Sequence, residues 1–166
     1  MKTKKLIITM SQLTNELEVL VGKTITPLII VFIYSVVQLI RFGNQSNYLL
    51  LLFGCILSTV IVIGYFINEI TNAVKKGKSF IAMFLALSGL IAWAFGCYLV
   101  FLCGFWSLKE LVEGFSITLV IKSFLFIVLG YRFISNFSKI TDIGRSISDG
   151  SLIIHDKDEV KYEKNS

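Results

Sequence analysis

Apolar residues in this chain come in long blocks rather than in alternation. Residues 24–40 read TITPLIIVFIYSVVQLI, residues 48–67 YLLLLFGCILSTVIVIGYFI, and residues 80–102 FIAMFLALSGLIAWAFGCYLVFL. A fourth block, residues 115–134, begins FSITLVIKSFLFIVLG. A helix needs about 17–25 mostly apolar residues to cross the hydrocarbon core of a bilayer, and each block meets that length. Lipid offers no partner to an unpaired backbone group, so such runs are helices. They also lack the polar alternation of an outer-membrane barrel. The pattern predicts an all-α, integral membrane four-helix bundle, with a four-transmembrane-helix domain over 24–134.

The flanks read differently. In residues 1–23, Leu6, Met10, Leu13, Leu17 and Leu20 recur at spacings of four and three, one face of an amphipathic helix. Such a helix lies on the inner membrane surface or packs under the bundle, and the pattern favours neither. The segment LIITM is too short for a secretory signal, and no small-residue cleavage site follows it. Gly22 and Pro27 bracket the expected entry to the first span, where proline is tolerated in an early turn. RFGNQSN, residues 41–47, is a tight polar turn that makes the first two helices an antiparallel hairpin. Residues 135–166 form a cytoplasmic helical tail: Phe137, Ile140 and Ile147 continue a helical stripe, Gly150 ends it, and SLII is a short extended segment.

Composition sharpens this picture. The 166 residues are 55% hydrophobic and 16% charged, against about 45–50% and about 25% in ordinary soluble domains. The net charge of +5 does not imply nucleic acid, because the basic residues are sorted by membrane side. Lys2, Lys4, Lys5 and Lys23 precede the first span, and Lys75, Lys76 and Lys78 lie between the second and third. Arg132, Lys139, Arg145, Lys157, Lys161 and Lys164 follow the fourth, while the other two connections hold only Arg41 and Lys109. Basic residues stay on the cytoplasmic side, so both termini are expected inside, in keeping with an even number of helices. The lipid bilayer is the first partner, and Lys75, Lys76 and Lys78 are candidate contacts to anionic headgroups. Tyr48 and Trp106 suit an interfacial belt, and Trp93, lying deeper, is expected to pack inside the bundle.

Lys122 is the candidate functional residue. Near mid-span it costs about 2.5–3.5 kcal/mol on the insertion scale, and no Asp or Glu shares its depth in any expected span. Its potential neighbours are Tyr34, Ser35, Cys55, Ser58 and Gln38, which are acceptors rather than counter-charges. Three readings stay open: the lysine snorkels or is neutral, it meets an acid on another chain, or it serves a transport path. Gly54 and Ser58 in the second helix, and Ser88, Ala92 and Gly96 in the third, follow small-xxx-small spacing and are candidates for close helix packing. Cys55, Cys97 and Cys103 have no CxxC spacing, and the lone His155 has no ligating companion, so neither a disulfide framework nor a metal site is expected. No Walker loop, HExxH or GxSxG occurs, so the chain is read as a non-enzyme without a cofactor.

Two stretches carry a family resemblance. NEITNAVKKGKSF, with Lys76, Gly77, Lys78 and Phe80, resembles the central turn of a small bacterial membrane family, the domain of unknown function 2975. GRSISDGSLIIHDKDEV resembles its closing element, with Gly144, Asp149, Leu152 and Ile153 at the matching positions. The chain departs from that pattern in a longer segment before Thr24, a shorter first outside loop, and Gly-Ser where an acidic residue is usual. The resemblance implies a bacterial plasma-membrane protein of four helices, and it supplies no catalytic residue. ISDGSLIIHDKDEV is also similar to the HAMP linker of transmembrane sensors, with shortened spacing and no second heptad helix after it. The leading expectation is a non-enzymatic accessory or regulatory membrane protein acting through cytoplasmic contacts with another membrane protein or with itself. The alternatives are a small transporter or channel subunit using Lys122, and an immunity protein against a membrane-active peptide.

Overall fold

The computed structural model describes residues 6–43, 46–75, 87–101, 112 and 117–155. In chain order these form strand β1 (Leu6–Thr9), helix α1 (Met10–Phe42), helix α2 (Ser46–Lys75), helix α3 (Leu87–Phe101), helix α4 (Ile117–Ser148) and strand β2 (Leu152–His155). Helices α1, α2 and α4 are each long and apolar enough to cross a membrane. Helix α3 is apolar and shorter over its described residues. The start of the expected third span, with Lys76 and Lys78, lies outside the described residues, as do Trp106 and Cys103.

The expected amphipathic segment and first span share one helix, α1, of 33 residues. At ~1.5 Å per residue it is about 50 Å long, well beyond a ~30 Å hydrocarbon core. A reciprocal capping box starts it: the Thr9 amide donates to Gln12 Oε1 at 3.0 Å, and the Gln12 amide donates to Thr9 Oγ1 at 3.3 Å. Gly43, at φ 73°, ends it by donating its amide to the Leu39 carbonyl. Pro27 stands in the interior rather than in an early turn. Its missing N–H frees the carbonyl four residues back, that of Lys23, and this oxygen accepts from Asn136 Nδ2 of α4 at 3.3 Å.

Large exposed apolar side chains mark a band around the helices. On α1 they run from Ile29 to Ile40, on α2 from Leu49 to Ile67, and on α4 from Ile117 to Tyr131. On α3 they include Leu90, Phe101 and Trp93, which is 50% exposed rather than packed inside. The rings in the core clusters include Tyr65, Phe126, Phe133 and Phe137, with Phe95 packed against them. Beyond the band, residues 10–28 of α1 and 132–148 of α4 continue with Val19 as the one large apolar side chain exposed. There Leu13 and Leu17 are fully buried in a cluster with Phe133, Phe137 and Ile140. Of the two readings of the amphipathic face, the observed one is packing within the fold.

At the far end of this extension, β1 and β2 pair in parallel, Leu6 with Leu152 through Thr9 with His155. A two-stranded ribbon is marginal alone and needs a packed face; here Ile8, Leu152 and Ile154 lie against the core. Helix α4 ends at Ser148, and the chain reverses through Gly150 at φ 71°, which favours glycine. The extended segment expected at SLII is therefore β2. Its partner, in the segment read as helical from Leu6, is an addition to the expected all-helical design.

Candidate functional site

Helix α4 places Lys122 facing α1 in the half of the bundle that holds Val31, Leu51, Cys55, Leu99, Phe126 and Leu129. The lysine is half-buried. Its Nζ lies 5.6 Å from the centre of the Tyr34 ring, a cation–π arrangement worth about 0.5–2 kcal/mol. Tyr34 is itself held edge-on by Phe126 at 5.1 Å and by Tyr48 at 6.3 Å between ring centres. The cation thus lies over one aromatic face, which two further rings hold in place. The nearby hydroxyls turn inward on their own helices: Ser35 donates to the Val31 carbonyl and Thr59 to that of Cys55, both at 2.8 Å.

The small residues bring the helices close, along different pairs of faces. Gly54 of α2 lies against Phe95 of α3, so closely that a Cβ there would collide with the ring. Ser58 and Ala92 are buried, and Ser88 is half-buried. Gly96 turns away from α2: a Cβ on it would stand 2.5 Å from Ile134 Cγ1 and 2.9 Å from Phe133 Cδ1 of α4. Opposite it, a Cβ on Gly130 would meet Val100 Cγ2 at 2.7 Å and the Gly96 carbonyl oxygen at 3.1 Å. Among the described glycines, Gly96 and Gly130 thus build a close backbone approach of α3 on α4, and Gly130 was not among the small residues picked out by spacing.

A second polar site was also missed. Glu69, near the C-terminal end of α2, is only 6% exposed, and Asn68 Nδ2 donates to its Oε1 at 3.2 Å. The carboxyl group rests on Gly144 of α4, where a Cβ would come within 2.5 Å of the carboxyl carbon. One turn back, Tyr65 packs edge-on to Phe137, and its phenolic oxygen occupies the space a Cβ of Gly89 would need. Gly144, singled out above by resemblance, has a physical reason to be glycine here. Glu69 cannot serve as the counter-charge of Lys122. Gly144 follows Lys122 on α4 by roughly 22 residues, or about 33 Å.

Lys75 ends α2. Cys55 and Cys97 are free thiols. Among the described residues, no group of three or more His, Cys, Asp or Glu side chains is placed to hold a metal, and His155 takes part in β2 through its backbone pairing. No protein-family profile, curated protein or solved structure matches this chain.

Proposed function

We propose that the chain is a multi-pass bacterial plasma-membrane protein with both termini in the cytoplasm, and that it works without catalysis as an accessory or regulatory component. The exposed apolar band supports the membrane setting, since soluble monomers rarely expose contiguous apolar patches beyond a few hundred Å². The sorting of basic residues supports the orientation. One observation carries the functional part: α1 and α4 extend past the band, share a buried core there, and are closed by the β1–β2 pair. A protein that needed only to span lipid has no use for this folded extension. The extension presents a rigid surface to a cytoplasmic partner or to a second copy of the chain.

The test has two arms. Cysteine labelling should find residue 77 and both ends of the chain on the cytoplasmic face; an outside position for any of them overturns the orientation. Affinity capture in mild detergent, with the full chain and with a form ending at residue 148, should lose partners or self-association in the shorter form. An unchanged partner set overturns the role given to the extension.

A further inference from the structure

A cleft of about 370 Å³ opens between α1 and α4 at the level where the exposed apolar band stops. Pro27 and Leu129, both buried, form its apolar side. Ile30 and Tyr131, exposed, are among the last band residues on their helices. Lys23 and Arg132, both exposed, supply two cations from opposite walls, and the lining contains no Asp or Glu.

We propose that this cleft binds the phosphate headgroup of an anionic phospholipid from the cytoplasmic leaflet. The assignment rests on the membrane reading given above. A phosphate diester needs positive charge and donors at headgroup depth, with apolar surface directly beneath for the acyl chains. Basic pockets between helices on the cytoplasmic side have this chemistry, and the planar fork of Arg132 suits phosphate oxygens. The remaining polar groups divide by what they are free to give. Thr26 already donates its hydroxyl to the Gly22 carbonyl at 2.8 Å, and the Asn136 amide is turned to the Lys23 carbonyl. The donors offered to a ligand are therefore Lys23 and Arg132, with the hydroxyls of Ser135 and Tyr131 beside them. A lipid seated here would span the seam between the two helices at the Pro27 position, where the α1 backbone lacks an internal hydrogen bond.

The test uses purified full-length protein in neutral phosphatidylcholine nanodiscs or detergent. Binding of phosphatidylglycerol is followed by native mass spectrometry and by the shift in unfolding temperature. Wild type should retain phosphatidylglycerol over phosphatidylcholine, and the pair Lys23→Gln with Arg132→Gln should weaken that retention roughly 30-fold, each cation near a surface being worth about fivefold. The pair Lys139→Gln with Arg145→Gln, on exposed residues of α4 outside the cleft, should retain wild-type selectivity. Equal retention in the Lys23/Arg132 pair, or an equal loss in the control pair, overturns the site. Displacement of lipid by millimolar free glycerol phosphate overturns the lipid assignment in favour of a soluble phosphate. Failure of the membrane reading is separable: the protein would then leave the membrane fraction at high salt without detergent, before any lipid is added.

Discussion

Asn136 of α4 donates its side-chain amide to the main-chain carbonyl of Lys23 in α1. The acceptor is available because Pro27, four residues on, has no N–H to offer it. Interior prolines cost a helix about 3 kcal/mol or more, and here part of that cost is offset from a neighbouring helix. Asn136→Ala should destabilise the protein by about 0.5–1.5 kcal/mol in detergent unfolding. In a Pro27→Ala background, where residue 27 supplies its own N–H, the same substitution should cost little. Equal costs in both backgrounds would show that the bond is not the compensating one.

Two glycines should respond in opposite directions. At Gly22, inside α1, an added Cβ meets nothing within 4 Å. Gly22→Ala should stabilise by up to about 1 kcal/mol through helix propensity. Gly130→Ala would push a methyl group against Val100 and the Gly96 carbonyl, and should destabilise by about 1–3 kcal/mol. Thermal unfolding of the two variants in one detergent decides the matter, and a matching sign would remove the close α3–α4 approach.

Lys122→Leu sets two magnitudes against each other. Insertion of the fourth span should improve by about 2.5–3.5 kcal/mol on the insertion scale, whereas the lost contact with Tyr34 is worth about 0.5–2 kcal/mol. The variant should insert at least as well as wild type, measured by glycosylation mapping of α4, and should remain folded. If the lysine instead pairs with an acid on another chain, its complex will vanish while insertion is retained.

Asp149 links pH to the end of the chain. Its carboxyl is held below the usual carboxylate range, first by hydrogen bonding from the Ser151 side chain and then from the Ser151 amide, which is 2.9 Å from Oδ1. A depressed value means that the stabilisation is complete above the ordinary carboxylate range. It is lost as pH falls through the lowered folded value. Hydrogen-exchange protection of the β2 amides, corrected for intrinsic rates, should fall over that acid window in wild type and lose this dependence in Asp149→Asn.

The strand register is open to chemical trapping. Ile8 and Ile154 are direct partners, and a disulfide requires Cα atoms about 4.4–6.8 Å apart. Ile8→Cys with Ile154→Cys, in a background free of the native thiols, should cross-link under mild oxidant within one chain. Ile8→Cys with Asp149→Cys should not. Cross-linking between chains instead would mean that the strands are exchanged between copies.

Element by element, legibility followed the range of the interaction. Three long apolar helices were readable because their hydrophobic blocks are continuous and local, and Gly150 announced the end of α4. That the amphipathic segment and the first span share one helix was not legible, since the group that meets the carbonyl freed by Pro27 sits on Asn136, 113 positions away in sequence. Strand β1 was hidden for a similar reason: LIIT has only four residues, and its partner lies at the other end of the chain. Lys122 stood out as a charge among apolar residues, and Tyr34 was among the neighbours suggested by depth. Glu69 did not stand out, because its burial depends on Gly144 leaving a space on α4.

The union of Leu6–Thr9 with Leu152–His155 also sets a schedule for biogenesis. Strand β2 follows all the described helices in chain order, so β1 cannot meet its mate, and Ile8 waits unpaired, until those helices have been synthesised. Any product cut short upstream of β2 would leave β1 without its pairing strand.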